Sequence, residues 1–276
     1  MGIADLPLSD LLMLAAAMIG AGLFAGVIAG LFGVGGGTVI VPVLFYAFEM
    51  LGVGGPANLH VAVGSSLLTI VGTSWRSLAA HRRHGAVDEA VLRAWTPWVG
   101  SGALVGAAIA GVASMQGLAV VYGVCLAGIG LQIGLTPEGK TLWRGLPTGW
   151  ARRIVGGTIG ALSAMMGIGG GSFGGAMMTL CGRPIHQAVA TGSGFGIAIG
   201  SAATLGFVVF GWDAAGRPPL SLGYVNLPAA AILGVVTTLA APWGARLAHR
   251  LDRRVLKRIF AAYMILTALS VVVKAL

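Results

Sequence analysis

The chain is too apolar for a water-soluble domain. Its 276 residues are 57% hydrophobic and only 9% charged, whereas a typical soluble domain is about 25% charged. Lipid is therefore the expected solvent for most of the surface. The net charge of +9 does not indicate nucleic-acid binding, because the basic residues sit in short loops between apolar segments and form no basic stripe.

Apolar segments follow one another along the chain, and their lengths fall into two classes. A membrane span needs about 20 apolar residues, or slightly fewer. The segments long enough to cross are 11–32, 59–80, 91–112, 118–135, 186–210, 225–247 and 256–275. The segments too short to cross are 38–51, 154–167 and 172–181. We therefore predict an all-α polytopic membrane protein.

Glycine clusters separate two pairs of these segments. One cluster, Gly33–Gly37, follows segment 11–32, and the other, Gly167–Gly171, ends segment 154–167. Clustered glycines end helices and permit tight reversals of the chain. Each pair is therefore predicted to form a glycine-tipped hairpin, either re-entrant or a broken helix.

The two halves of the chain match each other in sequence. Residues Gly26–Thr38 align with Gly160–Ser172, and the stretch from His60 aligns with the stretch from His186. The sequence thus predicts a duplication, with a first repeat at 1–135, a linker at 136–153 and a second repeat at 154–276. The first repeat is expected to hold hairpin 11–51 and helices 59–80, 91–112 and 118–135, and the second to hold hairpin 154–181 and helices 186–210, 225–247 and 256–275.

The positions of the basic residues predict how the repeats are oriented. All of the 17 Lys and Arg residues except Arg217 and Lys274 can be placed on one side, which the positive-inside rule makes cytoplasmic. This placement requires each hairpin to return to the side that it entered from. Each half then crosses three times, so the repeats are predicted to have inverted topology, as in many secondary transporters. Segment 11–32 is long enough to span alone, so a spanning first hairpin stays open.

The glycine tips are the main candidate for a binding site. A helix that restarts at Thr38 or Ser172 presents free N–H groups and the positive end of its dipole, which together attract anions. The alternative is that the glycines only permit close helix packing. The candidate substrate-binding residues at the tips are Gly35, Gly36, Gly37, Thr38, Gly169, Gly170, Gly171 and Ser172.

Hydroxyl residues lie a turn or two into the helices that follow the tips. They are Ser65 and Ser66 in the first half, and Thr191 and Ser193 in the second. Hydroxyl groups donate hydrogen bonds to an oxyanion without carrying charge, and they are added to the substrate-binding set. The equally weighted alternative is hydrogen bonding between helices.

Two histidines, and the absence of acidic residues from the middle of the spans, bear on whether transport is coupled to proton movement. His60 and His186 occupy matched positions in the two halves, and we expect a proton or anion relay there, with polar residues at a membrane interface as the alternative. No Asp or Glu falls in the middle of a predicted span, so a carboxylate relay is not expected.

Catalytic and metal-binding signatures are missing from the sequence. It contains no Walker loop and no Cys/His spacing suited to a metal, and Cys125 and Cys181 lie in apolar runs. We expect no enzyme activity, no catalytic residues, no metal site and no cofactor. The expected partners are a small anionic substrate and the lipid bilayer, with no nucleic acid and with a homodimer as an open option.

Three motifs of this chain resemble those of one known family. They are Gly30-Leu-Phe-Gly33-Val-Gly35-Gly36-Gly37 with Pro42, its partner Gly167-Ile-Gly169-Gly170-Gly171, and the His-x-Ala-Val stretches. Together they resemble the sulfite exporter TauE/SafE permeases over roughly 20–275. Two positions depart from the family pattern: Ala176 stands where a second proline is expected, and Gly192 where a serine is frequent.

The resemblance implies a substrate class and a location. It implies a multi-pass permease of the bacterial inner membrane for sulfite or an organosulfonate such as sulfoacetate. We expect export by alternating access at a midplane anion site, with periplasmic N- and C-termini. An anion channel and an uptake permease for another organic anion are the alternatives.

Overall fold

A computed structural model describes most of the chain. It describes residues 16, 18–28, 37–50, 52–53, 55–135, 143, 145–248 and 253–275. These residues form helices joined by short connections, with one two-stranded hairpin. The elements are α1 (Met18–Ile28), α2 (Gly37–Met50), α3 (Asn58–Arg83), α4 (Glu89–Val112), α5 (Met115–Leu135), α6 (Gly149–Met166), α7 (Gly170–Leu180), α8 (Ile185–Phe210), β1 (Ser221–Leu222), β2 (Val225–Asn226), α9 (Leu227–Ala248) and α10 (Arg253–Ala275).

The predicted helical membrane fold class is confirmed. Five helices are long and apolar enough to cross a bilayer, and they lie within α4, α5, α8, α9 and α10. Helix α3 has 26 residues, about 39 Å at the rise of an α-helix, so it also has the length to cross. Six of its polar residues are buried among other helices, which keeps them away from lipid: Asn58, His60, Ser65, Ser66, Thr69 and Ser74.

The β1–β2 hairpin corrects one predicted boundary. Segment 225–247 was predicted to be helical throughout, but Val225–Asn226 is a strand paired with Ser221–Leu222. The Asn226 side-chain amide donates to the carbonyl of Pro219 and to Ser221 Oγ, and Gly223 has a φ of +59°. These local hydrogen bonds and the turn override the continuity of the hydrophobic segment.

Two helices are as short as the sequence predicts. Helix α2 has 14 residues and α7 has 11, so they reach about 21 and 17 Å against a hydrocarbon core of about 30 Å. Helix α6 ends at Gly167, which adopts the left-handed conformation with φ 63° and ψ 32°. The N–H of Gly167 donates to the Ala164 carbonyl, and that of Ile168 to the Ser163 carbonyl. This is a glycine-terminated helix end.

Helix α1 packs closely along α9 through small residues. A Cβ atom added to Gly26 would lie 2.7 Å from the Ala240 Cβ, and one added to Gly22 would lie 3.0 Å from the Val236 Cβ. Both contacts advance along the two helices in the same order, so α1 and α9 run in the same direction. Glycine permits such an approach of two backbones.

Helix α6 packs along α4 in the same manner. A Cβ atom added to Gly160 would lie 2.8 Å from the Ala103 backbone nitrogen, and one added to Gly156 would lie 3.1 Å from the Trp98 Cβ. Again the contacts advance in the same order, so α6 and α4 run in the same direction. The helix before each glycine tip is thus packed parallel to one long helix of the other half of the chain.

Ion pairs mark two ends of the helix bundle. At the first end, called the basic end and marked by Arg82, Asp88, Glu89 and Arg183, Arg82 Nε lies 2.7 Å from Glu89 Oε1 and Arg183 lies 3.5 Å from Asp88. These surface pairs join the loop between α3 and α4 to the start of α8.

The opposite end of the bundle, called the far end, carries a different pair. Lys274 Nζ lies 3.2 Å from Glu49 Oε1 and 5.7 Å from the centre of the Tyr46 ring. These contacts join the last turn of α10 to the last turn of α2.

Candidate functional site

The two glycine tips are in direct contact. A Cβ atom added to Gly37 would collide with the carbonyl oxygen of Gly167 and would lie 2.8 Å from the Ile168 Cα. Ser66 Oγ donates a 2.8 Å hydrogen bond to the same Gly167 carbonyl. The start of α2, the end of α6 and the middle of α3 therefore meet at one place in the bundle interior.

The second tip presents an uncapped helix start. Gly169 precedes α7 in an extended conformation and supplies no side-chain cap. Within the described part of the chain, the backbone N–H groups of Gly170 and Gly171 donate to no acceptor. The first-turn N–H groups of a helix carry its positive dipole end. Ser172 is buried in this same turn, so the predicted residues Gly169 to Ser172 lie together.

The first tip contains an unsatisfied hydroxyl. Thr38 is 1% exposed, and its Oγ1 has no hydrogen-bond partner among the residues that are described. A buried hydroxyl without a partner is unfavourable by about 1–3 kcal/mol, so this atom suits a ligand oxygen. Gly37 begins the helix, whereas the predicted residues Gly35 and Gly36 lie outside the described residues.

Sequence reasoning missed one polar residue next to the tips. Ser163 is fully buried in the last turn of α6, and within the described ranges its Oγ also has no partner. Its carbonyl receives the hydrogen bond from Ile168 that closes the helix end. Ser163 lies within the aligned stretch Gly160–Ser172, four residues before Gly167. A single serine in an apolar helix nevertheless gave no separate indication of a functional role.

Close packing and open space occur side by side at the second tip. A Cβ atom added to Gly170 would collide with the Phe195 Cβ and lie 2.8 Å from the Gly196 nitrogen, whereas one added to Gly171 would meet nothing within 4 Å. Gly192 packs here as well, with its added Cβ 3.0 Å from the Gly171 Cα. Gly170 and Gly192 therefore serve close helix packing, which was the alternative role for the glycines. Gly171 borders open space instead.

Ser65 connects α3 to the start of α9. Its Oγ accepts a 2.8 Å hydrogen bond from the Asn226 backbone N–H. The Asn226 side-chain oxygen in turn accepts from the Ala229 N–H, which is the geometry of a helix N-cap. Ser65 thus faces the start of α9 and differs in this from its neighbour Ser66.

Thr191 makes the matching contact in the other half. Its Oγ1 accepts a 3.0 Å hydrogen bond from the Asp88 backbone N–H, and Asp88 Oδ1 accepts from the Val91 N–H as the N-cap of α4. Ser193 donates to the Ala190 carbonyl within its own helix. Of the predicted hydroxyl residues, Ser66 is the one whose hydrogen bond reaches a tip.

His60 and His186 lie at different ends of the bundle. His60 Nε2 lies 3.0 Å from the Ala110 carbonyl and 3.1 Å from the Ala113 carbonyl. Because both partners are acceptors, Nε2 is assigned the proton. The His60 ring stacks on Tyr224 with 4.8 Å between centroids, so His60 bridges the end of α4 and the β1–β2 hairpin.

His186 is exposed at the start of α8, at the basic end. Burial, together with the charges of nearby His84 and His186, lowers the pKa of His81. His186 therefore faces the loop after α3, whereas His60 faces the loop after α8. The two predicted relay histidines are not brought together.

No group of three or more His, Cys, Asp or Glu side chains is arranged to hold a metal ion within the described part of the chain. The chemistry available at the tips is that of neutral hydrogen-bond donors and helix dipoles, which suits the binding of an anion.

Comparison with known proteins gives one family and several relatives. Residues 18–271 match the family model described as "Sulfite exporter TauE/SafE". A "Probable membrane transporter protein" of Haemophilus influenzae is 30% identical over 255 residues, which is 92% of this chain and 96% of that protein. The "Probable membrane transporter protein YunE" of Bacillus subtilis is 29% identical over 62% of this chain and 69% of that protein. No solved structure matches the chain.

Proposed function

The chain belongs to the sulfite exporter TauE/SafE family and is a multi-pass membrane transporter; from this premise we propose that it exports a small sulfur-containing anion. The substrate class is sulfite or an organosulfonate such as sulfoacetate. The membrane is the bacterial inner membrane, and the protein acts by alternating access as a permease with no enzymatic step.

The contact between the two glycine tips carries this proposal. Gly37 lies against Gly167 and Ile168, so the start of α2 lies beside the turn that leads into α7. The Thr38 hydroxyl and the N–H groups of Gly170 and Gly171 supply donors without a positively charged side chain. A sulfonate has three acceptor oxygens and suits several such donors. We propose Thr38, Ser66, Gly170 and Gly171 as the core of the binding site.

Matched contacts support the inverted-repeat architecture. The pair Ser65–Asn226 joins α3 to the start of α9, and the pair Thr191–Asp88 joins α8 to the start of α4. The packing of α1 on α9 likewise has its counterpart in that of α6 on α4. An inverted duplication explains both sets of pairs with one operation. We propose that the linker 136–153 lies in the cytoplasm and that both termini lie in the periplasm.

Export follows from the membrane potential. A negative-inside potential of 100 mV favours outward movement of one negative charge by about 2.3 kcal/mol. No acid falls in the middle of a predicted span, so the proposal includes no carboxylate proton relay. His60 and His186 stay candidates for a relay, one at each end of the bundle.

Flux measurements in proteoliposomes test the proposal. Purified protein should take up labelled sulfite or sulfoacetate with saturable kinetics, and unlabelled anion on the opposite side should accelerate the exchange. Protein-free liposomes give the background. A rate that rises linearly with concentration, without counter-exchange, would instead identify a channel. Light scattering of the same preparation tests whether the protein forms a homodimer.

A further inference from the structure

Two tryptophans flank an arginine at the start of α6. The guanidinium carbon of Arg153 lies over the Trp98 ring of α4, 4.7 Å from its centre, and 5.1 Å from the centre of the Trp150 ring. A cation is attracted to an aromatic face within about 6 Å. We propose that these three residues, called the Arg153 cluster, bind the phosphate of an anionic phospholipid at the cytoplasmic surface of the membrane. The site lies outside the tips, and its ligand is not the transported anion.

The N–H groups of Arg153 have no oxygen acceptor in the protein. An indole attracts the positive charge but is a hydrogen-bond donor only, so neither tryptophan satisfies the guanidinium N–H groups with an oxygen. Among the described residues, Arg153 forms no ion pair. A guanidinium presents five N–H donors in a planar fork that matches phosphate oxygens in pairs. The arginine is therefore held in position by the rings while its donors stay available to a ligand.

The acids described at the basic end are engaged by other cations. Asp88 lies 3.5 Å from Arg183, and Glu89 lies 2.7 Å from Arg82. At the start of α6, Arg152 also carries a buried Nε that donates to no acceptor within the described ranges. Positive charge therefore remains uncompensated at this place, which makes it complementary to an anionic headgroup.

Helix geometry gives the depth of Arg153 in the membrane. Because α6 runs parallel to α4, its first turn lies at the basic end, and its side chains point back toward that end. Arg153 precedes Gly167 by 14 residues, which is about 21 Å along the helix. Half of a bilayer, headgroups included, is about 20–22 Å thick. With the tips at the midplane, a depth that rests on the proposed function, Arg153 reaches the level of the phosphates.

Apolar surface continues from the cluster toward the membrane interior. On α6, Ile154 is 64% exposed, and a Cβ atom added to Gly157 would meet nothing within 4 Å among the described residues. On α4, Val105 is 56% exposed and follows Trp98 by two helical turns. A charged group at the surface with an open apolar face below it matches a phospholipid, which has a phosphate and acyl chains, better than a free phosphate ion.

Lipid retention by the intact protein tests the site. The protein is purified in detergent and supplied with phosphatidylglycerol, and native mass spectrometry measures the bound lipid. Arg153→Gln should lower the affinity for phosphatidylglycerol about fivefold, because one basic side chain near an anionic lipid contributes about that factor. The matched control is Arg83→Gln, which removes an exposed arginine of α3 outside the cluster and should lower the affinity less than about twofold. Equal losses in the two variants would overturn the inference.

A second pair of variants separates a built site from diffuse charge attraction. Trp150→Leu keeps every charge and removes one of the rings beside Arg153, so the affinity for phosphatidylglycerol should fall about twofold to fivefold. Trp75→Leu removes an indole of similar exposure, 67% against 74% for Trp150, from α3 and should leave the affinity nearly unchanged. If the two tryptophan variants behave alike, the lipid is attracted by net charge only and the cluster is not a site.

Thermal unfolding identifies the kind of ligand. Phosphatidylglycerol should raise the Tm of the unmodified protein by binding the folded state, and by more than phosphatidylcholine, whose choline neutralises its phosphate. This difference should disappear in Arg153→Gln. If inorganic phosphate at millimolar concentration raises the Tm as much as phosphatidylglycerol does, the cluster is a site for free anions and the inference is wrong. Absence of sulfonate flux in the unmodified protein would refute the proposed function, whereas lipid retention that depends on Arg153 would still hold.

Discussion

At the scale of single residues, Ser65 and Thr191 make the same contact in the two halves of the chain. Each hydroxyl accepts the backbone N–H of the residue that caps a helix of the other half, Asn226 for Ser65 and Asp88 for Thr191. Both hydroxyl residues are fully buried. They connect the two halves, and any part in substrate binding would require these hydrogen bonds to be shared with the anion.

Removing the Ser65 hydroxyl should destabilise the protein. In Ser65→Ala the Asn226 N–H loses its acceptor in a buried environment, which costs about 1–3 kcal/mol. Thermal unfolding in detergent measures the change in Tm. The control is Ser193→Ala, which removes a hydroxyl that bonds only its own helix and should stay within about 0.5 kcal/mol. Equal shifts for the two variants would contradict the capping role of Ser65.

The sequence identified these hydroxyl positions but not their partners. The match between the stretches from His60 and His186 marks Ser65 and Thr191 as equivalent. Their partners lie 161 and 103 residues away along the chain, and helical periodicity carries no information about contacts at such separations. The same limit applies to His60, whose partners are the Ala110 and Ala113 carbonyls.

At the scale of elements, α7 combines a packed position with an open one. Its first residue, Gly170, contacts the backbone of α8, whereas Gly171 faces free space. Substitution at Gly170 therefore tests packing, and substitution at Gly171 tests the anion site. The same comparison of a packed glycine with an open one is not made at the first tip, because Gly35 and Gly36 lie outside the described residues.

We expect Gly171→Val to separate function from folding. The added side chain enters the space beside the first-turn N–H groups, so sulfonate flux should fall at least about tenfold, as for loss of a 1.4 kcal/mol interaction. Thermal unfolding should be nearly unchanged. Gly170→Val should instead lower Tm, because its Cβ collides with Phe195. Full flux in Gly171→Val proteoliposomes would remove the second tip from the binding site.

The lengths of two short elements were readable from the sequence, whereas segment 154–167 was predicted too short, because α6 begins at Gly149 within the predicted linker and has 18 residues. One local structure was also missed. The short segments 38–51 and 172–181 correspond closely to α2 and α7, because glycine clusters and connecting loops bound them sharply. The β1–β2 hairpin was missed because its formation depends on the side-chain amide of Asn226, which bonds Pro219 and Ser221. Averaged hydrophobicity does not detect a single capping residue.

At the scale of the whole molecule, the proposed inverted architecture predicts the side of the membrane on which each loop lies. The basic end includes the loop between α3 and α4, and the linker before α6 should lie on the same side. The loop between α4 and α5 and the turn of the β1–β2 hairpin meet near His60 at the far end. These assignments make a sharp test possible, because each half contributes a loop to each side.

Single cysteines introduced into these loops should report the topology. In spheroplasts of a strain that expresses a cysteine-free background, Ser114→Cys and Ala214→Cys should react with a membrane-impermeant maleimide. Ala86→Cys and Pro147→Cys should react only after the membrane is permeabilised. As controls, the variants should be expressed at similar levels and should react equally with the maleimide in detergent. If Ala86→Cys and Pro147→Cys label on opposite sides, the hairpin topology is wrong.

The membrane class could be predicted from the sequence, but the packing of the helices against one another could not. Matched glycine motifs and basic loops are present in both halves and carry no information about which conformation prevails. A carrier has at least two states that differ by a few kcal/mol. Contacts such as that between Gly194 and Leu92 are seen only in three dimensions.

Pro42 gives the two halves different stiffness. A proline has no N–H, so the carbonyl of Thr38, four residues earlier in α2, lacks the donor that an α-helix normally provides. Ala176 occupies the matched position of α7 and keeps its amide. The first turn of α2 is therefore joined to the rest of its helix by one hydrogen bond fewer. The first turn of α2, which carries Thr38, can therefore bend away from the rest of its helix more easily than in an uninterrupted α-helix.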